Sequence, residues 1–146
     1  MHKKRIVVVA LLSMLALSGV ARAETAVGAV FGYPGNVGLS VRFGPTPIGV
    51  AWSSDFIHAT IDRWVSKRPL ADFQRWSWYL GPGLDLGIPL DDAEDFFLAL
   101  RLPIGAQCML TPKIELFGEV APGIQLLDET DFYWASSVGI RYVLGQ

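Results

Sequence analysis

The sequence predicts an all-β protein, an eight-stranded antiparallel up-and-down β-barrel that is preceded by a cleavable signal peptide. Past residue 23 no stretch keeps a helical period, whereas apolar and polar side chains alternate between turns rich in Gly, Pro, Asn and Asp. Each strand therefore has an apolar face that needs cover, and the chain has no helix left to supply it. Closing the sheet into a barrel is the simplest way to meet that need.

Residues 1–23 have the three parts of a secretory signal peptide. Basic residues at 3–5 precede an almost wholly apolar stretch at 6–20, and Ala21 and Ala23 are small residues where a signal peptidase reads. The apolar stretch is shorter than the ~20 residues that a membrane-spanning helix needs. We expect a signal peptide over 1–23 and a single β-barrel domain over 24–146.

Composition argues against several classes of function. Four of the 12 basic residues lie in the signal peptide, which leaves eight against 14 acidic residues and a mature net charge of −6. A nucleic-acid partner would need a basic surface, so none is expected. Cys108 is the only cysteine, so no internal disulfide can form. A zinc spacing, a phosphate loop and a nucleotide fingerprint are absent from the sequence, and we expect no cofactor and no metal site.

The first half of the mature chain predicts four strands. They lie at about Val27–Tyr33, Val37–Phe43, Ile48–Trp52 and Ile57–Val65. The first two form a hairpin around Pro34, Gly35 and Asn36, since these residues favour turns. In each strand the apolar residues share one parity, as a half-buried strand requires.

The second half predicts four more strands. They lie at about Phe73–Leu90, Glu94–Leu110, Ile114–Val120 and Val138–Leu144. Proline cannot donate to a sheet ladder, so Pro82, Pro103 and Pro122 each predict a bulge or bend in a strand that has no free edge.

Charged side chains fall in the parity opposite to the aliphatic ones. This set contains Arg42, Asp62, Asp85, Arg101, Glu115, Glu119 and Arg141. Soluble barrels usually carry many lysines on their outer strands, and here strand-facing lysine is essentially absent. We therefore expect aliphatic side chains to face lipid around a filled lumen. There Arg42, Arg101 and Arg141 should pair with Asp85, Glu115 and Glu119. A soluble barrel with these charges outside is the alternative.

The predicted turns differ in charge between the two ends of the barrel. Turns after the odd strands contain Asp55, the segment 91–95 and the segment 128–131, and they form an acidic rim. Turns after the even strands contain 67–72 and 111–113 and are mildly basic. Amphipathic aromatic residues could supply girdles at the membrane interfaces. The candidates are Trp52, Trp76, Trp78, Trp134, Tyr33, Tyr79, Tyr133 and Tyr142.

Three segments carry a family resemblance. Gly139–Leu144 has a glycine followed by spaced aromatic and apolar residues, and Leu102–Gly105 and Ile114–Gly123 have a late-strand pattern. In these features most of the mature chain resembles the small outer-membrane β-barrel superfamily, the OmpA/OmpX-like eight-stranded barrels. The resemblance implies that the protein lies in the outer membrane of a Gram-negative bacterium and contacts its lipid. It also implies that the barrel-assembly machinery recognises the C-terminal strand. The chain departs from the pattern by ending in Gly145 and Gln146 instead of an aromatic residue.

We expect a monomeric outer-membrane protein of structural or interaction type without catalytic activity. An ion channel is not expected, because side chains fill the interior of an eight-stranded barrel. Two alternatives stay open. One is a periplasmic soluble barrel that binds an apolar ligand in the lipocalin manner. The other is a lipid A-modifying enzyme, since His58 and Thr60 with Glu115 or Glu119 are similar to the histidine, hydroxyl and carboxylate set of outer-membrane lipid A deacylases.

Overall fold

A computed structural model describes residues 24–70, 72–91, 95–127 and 130–145. The predicted signal peptide, 1–23, lies outside these residues, as do Asp92, Glu94, Asp128 and Glu129 of the predicted acidic rim. No helix of the described residues is long and apolar enough to cross a membrane.

The described residues form eleven β-strand segments. These are β1 (Thr25–Tyr33), β2 (Val37–Phe43), β3 (Thr46–Trp52), β4 (Phe56–Asp62), β5 (Ser66–Leu70), β6 (Phe73–Leu80), β7 (Gly83–Pro89), β8 (Phe97–Arg101), β9 (Ile104–Thr111), β10 (Ile114–Gln125) and β11 (Asp131–Gly145). All of them pair antiparallel in one sheet. The predicted all-β class with antiparallel pairing is confirmed.

Eight of the segments close into a ring. Their order is β11, β1, β2, β3, β4, β7, β8 and β10, and β10 pairs again with β11 to complete the circuit. The remaining three segments continue from β10 in the order β9, β6 and β5. Chain order explains this extension, since β5 follows β4, β6 leads into β7, and β9 follows β8. The eleven segments are thus eight long strands, of which three are interrupted.

The interruptions lie side by side and keep their backbone hydrogen bonds. The amide of Arg63 donates to the carbonyl of Pro82 at 2.9 Å, that of Gly81 to Pro103 at 3.3 Å, and that of Leu102 to Pro122 at 2.9 Å. Each proline therefore accepts a bond from the neighbouring strand although it cannot donate one. Pro82 and Pro103 lie between segments, so the predicted interruption of the strands is confirmed at both. The bulge predicted at Pro122 is wrong, because this proline lies within β10 and the register with β11 is continuous across it, although β10 changes its other neighbour there from β9 to β8.

One predicted connection is a strand instead. Segment 67–72 was expected to be a turn, but β5 occupies Ser66–Leu70 and pairs with β6 from Ser66 opposite Leu80 onward. Lys67, Arg68 and Pro69 are typical of strands at the end of a sheet, which use charge and proline against further pairing. The same residue types are common in turns, which explains the error.

The turn between β2 and β3 is as short as a hairpin allows. Phe43 pairs with Thr46, so only Gly44 and Pro45 form the loop. Gly44 has a φ of 56°, a left-handed conformation that glycine adopts without steric cost.

The two faces of the ring differ in polarity. The buried polar and charged side chains are Ser40, Arg42, His58, Asp62, Asp85, Gln107, Glu115 and Arg141. The exposed large apolar side chains include Leu39, Val50, Leu84, Leu100, Ile104, Leu116, Val120, Ile124, Val138, Ile140 and Leu144. The described part of the chain therefore has a polar interior and a largely apolar outer face.

Exposed aromatic side chains lie near both ends of the ring. Tyr33, Trp52 and Trp134 are next to the connections at one end, and Trp76 and Tyr142 lie near the other. Two predicted girdle residues are placed differently, because Tyr79 and Tyr133 are buried inside the ring.

Candidate functional site in the ring interior

The interior contains all six residues predicted for the lumen network. Arg42, Asp85, Glu115 and Arg141 are buried, and the side chains of Arg101 and Glu119 are 7% and 6% exposed. Strand alternation explains their common direction, because each lies in the parity opposite to the exposed aliphatic residues. The contacts divide them among three clusters along the interior.

The first cluster is centred on Glu115, which is wholly buried. Arg42 donates two hydrogen bonds to its carboxylate, from Nε to Oε1 and from Nη2 to Oε2, each 3.0 Å long. Arg141 Nη1 lies 3.4 Å from Oε1, and the amide of Gln107 donates to Oε2. Arg42 also donates to Glu24 at 2.7 Å. One buried carboxylate therefore holds two guanidinium groups, and such paired geometry is what compensates for the burial of charge.

Arg141 is further fixed by neutral groups. Its Nε donates to the hydroxyl of Ser40 at 2.9 Å, and its guanidinium lies 3.7 Å from the ring centre of Phe117. A cation over an aromatic face gains electrostatic stabilisation, more so where water is excluded.

The second cluster surrounds Arg101. Its Nη2 lies 2.5 Å from Glu119 Oε2, and its Nε lies 3.1 Å from Asp62 Oδ1. Tyr79 donates from its hydroxyl to the other oxygen of Glu119 at 2.8 Å. The Arg101 Nε and Asp62 Oδ1 atoms form an ion pair without hydrogen-bond geometry, and each lacks a hydrogen-bond partner. A single cation thus lies between two buried carboxylates.

The third cluster contains Asp85, His58 and Tyr133. His58 Nδ1 lies 3.1 Å from Asp85 Oδ1, and the Tyr133 hydroxyl donates to Asp85 Oδ2. Asp85 was predicted to pair with an arginine. Its contacts are with His58 and Tyr133 instead, so this prediction is wrong. Asp62 takes the second position beside Arg101 instead, because strand register brings Asp62 closer than Asp85.

Several interior residues were outside the predicted network. His58, Ser40 and Gln107 share the parity of the charged residues, so alternation alone could have added them. Tyr79 and Tyr133 also share it, but amphipathic aromatic rings suit a membrane interface as well as a lumen.

A cavity of about 70 Å³ lies between the second and third clusters. Its lining includes His58, Thr60, Asp62, Asp85, Arg101 and Glu119. Ser40 and Arg141 of the first cluster and apolar residues such as Ile48 and Phe117 complete the lining, and the volume accommodates a few water molecules beside the polar groups.

Of the predicted histidine, hydroxyl and carboxylate set, His58, Thr60 and Glu119 line the same cavity. Glu115 and Glu119 belong to the first two clusters, whereas His58 contacts Asp85. In the described part of the chain, no group of three His, Cys, Asp or Glu side chains could hold a metal ion. The contacts within the three clusters compensate the buried charges inside the ring.

Searches with this chain found no matching protein-family model, no matching characterised protein and no matching solved structure.

Proposed function

We propose that this chain is an outer-membrane β-barrel protein of structural or interaction type. The eight-strand ring is then a closed up-and-down barrel whose outer face contacts lipid, and the three charged clusters fill its lumen. The proposal includes no catalytic activity.

The distribution of polarity carries the proposal. Charged side chains including Arg42, Asp85 and Glu115 are buried, while Leu39, Val138 and Leu144 are each about 60% exposed. A protein folded in water has the reverse arrangement, and apolar patches on soluble monomers rarely exceed a few hundred Å². Transmembrane barrels combine an apolar outer band with a polar interior.

Strand length and aromatic placement support the same proposal. At ~3.3 Å per residue, β11 from Phe132 to Leu144 covers roughly 40 Å, or roughly 30 Å of height at a tilt of about 40°, and the apolar band of such barrels is about 25 Å tall. Exposed aromatic residues near both ends match the two interfacial girdles of membrane barrels.

The centre of the ring, where a lipocalin-like barrel stores its ligand, argues against that alternative. A barrel that stores an apolar ligand needs an apolar cavity. The cavity that touches the charged clusters is only about 70 Å³, well below the size of a small-molecule site, and Asp62, Asp85 and Arg101 lie in its wall beside apolar residues. A channel is likewise disfavoured, since the paired side chains occupy the space.

The proposal has consequences for partners. Outer-membrane lipid surrounds the barrel, and the C-terminal strand β11 presents the segment that the barrel-assembly machinery reads. The chain then works as a monomer, because closure of the ring leaves no long unpaired edge for another copy.

Fractionation and gel mobility test this proposal. The protein, expressed from the complete sequence in a Gram-negative host, should enter the outer-membrane fraction and require detergent for release. Unheated samples should migrate differently from boiled ones, since a closed barrel resists SDS until heated. A folded monomer recovered from the periplasm in plain buffer would overturn the proposal and favour a soluble barrel.

A further inference from the structure

One end of the ring opens into a cavity beside the third cluster, and His58 and Tyr133 of that cluster form part of its wall. This cavity, called the vestibule below, measures about 450 Å³. It is lined by Tyr33, Pro34, Asn36, Ser53–Phe56, His58, Phe97, Gln125 and Phe132–Trp134. Its size falls in the range of about 300–1,000 Å³ that is typical of small-molecule sites.

Aromatic rings form a continuous arc at the base of the vestibule. The ring centres of Phe56 and His58 are 5.8 Å apart, those of His58 and Phe97 are 6.0 Å apart, and those of Phe97 and Tyr133 are 5.7 Å apart. The four residues lie on β4, β8 and β11, which alternate with β7 and β10 around the ring. Phe132 and Trp134 add exposed rings at the opening.

The charge around this opening is uniformly negative in the described residues. Asp55 lines the vestibule, and Asp91, Asp95 and Asp131 lie in or beside the connections at the same end. No lysine or arginine is among the lining residues. Asp85 lies behind the arc and contacts both His58 and Tyr133. A cation approaching from this end therefore meets an attractive field.

We propose that the vestibule binds a small organic cation with an apolar body, such as an aryl or alkyl quaternary ammonium. The half-buried rings of Phe56 and Phe97 carry negative electrostatic potential on their faces, which attracts a bulky, weakly hydrated cation. The same rings bury its apolar body, and Asp55 compensates its charge at the opening. An anion of the same size meets repulsion from the acidic rim and gains nothing from the ring faces.

The site goes beyond the proposed outer-membrane function and does not depend on it. Phe56, His58, Phe97 and Tyr133 belong to the inner wall, so this part of the vestibule exists whether lipid or water surrounds the outer face. Binding and membrane location can therefore fail separately.

Calorimetric titration tests the site with benzyltrimethylammonium. The protein, expressed from the complete sequence, is purified in a maltoside detergent, because zwitterionic detergents carry quaternary ammonium groups that would compete. Phenylmethanesulfonate, of similar size and opposite charge, is the matched control ligand. We expect saturable binding of the cation and no saturable heat from the sulfonate. If the protein proves soluble without detergent, the same titration is performed in buffer.

Two pairs of variants locate the binding. Asp55→Asn should weaken binding by about fivefold and Phe97→Leu by about tenfold, given the usual strength of cation–π and rim contacts. Asp72→Asn and Phe43→Leu make the same changes at the opposite end and should leave affinity within about twofold. Phe132→Leu, at an exposed ring, replaces Phe97→Leu if the latter does not fold.

Three results would overturn the site. If the sulfonate bound as tightly as the cation, the negative charge at the opening would not determine which ligand binds. If Asp55→Asn and Asp72→Asn weakened cation binding equally, the effect would come from the net charge of the protein and not from Asp55 at the vestibule. If the folded protein showed no saturable binding at about 20 mM cation, the site itself would be removed, because even a Kd of about 1 mM would give saturation there.

Discussion

The hydroxyl of Tyr79 donates a 2.8 Å hydrogen bond to Oε1 of Glu119 inside the ring. The bond is possible because Gly105, opposite Tyr79 in the β6–β9 pairing, has no side chain. A Cβ on Gly105 would lie 2.5 Å from the Tyr79 ring and hydroxyl. Tyr79 is fully buried and stacks on Trp64 with ring centres 4.2 Å apart, so it has no space to retreat.

Gly105→Ala should therefore destabilise the protein. Displacing Tyr79 costs the overpacking penalty of about 1–3 kcal/mol in the free energy of unfolding. Gly118→Ala is the matched control, because a Cβ there meets no atom closer than 3.6 Å, and its effect should stay within about 0.5 kcal/mol. Urea unfolding followed by tryptophan fluorescence measures both. Equal effects of the two variants would contradict the steric argument.

Arg101→Leu should have a larger effect. The substitution leaves Asp62 and Glu119 buried without their shared cation, and breaking a buried ion pair in this way costs about 3–5 kcal/mol. The melting temperature should fall accordingly. Arg68→Leu, on the exposed strand β5, is the control and should change it little.

A second substitution distinguishes lost charge compensation from lost packing. Adding Glu119→Gln to Arg101→Leu removes one of the two stranded carboxylates, so part of the stability should return. A double variant as unstable as the sum of the single ones would mean that Arg101 and Glu119 do not interact.

Side-chain alternation was sufficient to predict which charged residues of the strands face the interior, but not that Tyr79 and Tyr133 do. Arg42, Glu115 and Arg141 could be assigned to one face because strand side chains alternate with a period of two. The partners within the interior could not be predicted in the same way. Arg42 and Glu115 are 73 residues apart in sequence, and their contact depends on the stagger of every strand between them. A change in that stagger would have given Glu115 another partner.

The strand ends were harder to predict than the strands themselves. β11 begins at Asp131, seven residues before the predicted start at Val138, and β10 continues to Gln125 through Pro122 and Gly123. Proline and glycine usually end strands in sequence reasoning. In a closed ring, the pairing of β10 with β11 along its whole length overrides that local preference.

Two glutamates that bind the same arginine should differ in importance. Glu115 is fully buried and Glu24 is 35% exposed, and both accept hydrogen bonds from Arg42. Glu115→Gln leaves Arg42 and Arg141 without their common anion and should cost about 3–5 kcal/mol in the free energy of unfolding. Glu24→Gln should cost less than about 1 kcal/mol, because water replaces part of its contact. If urea unfolding gave the same loss of stability for both variants, water would not be excluded from the first cluster as proposed.

The lipid-facing assignment makes the last prediction. Ile140 is exposed in the middle of the outer face on β11, and Leu127 is exposed in the connection between β10 and β11. If lipid covers the outer face, Ile140→Arg should cost about 2–4 kcal/mol of stability in phospholipid vesicles, because arginine near the bilayer midplane loses its hydration. Leu127→Arg, near the interface, should cost about 0–1 kcal/mol. Both are measured by unfolding the vesicle-inserted protein in guanidinium chloride. In water an exposed arginine is as well solvated at one position as at the other, so equal stabilities of the two variants would contradict a lipid-covered outer face.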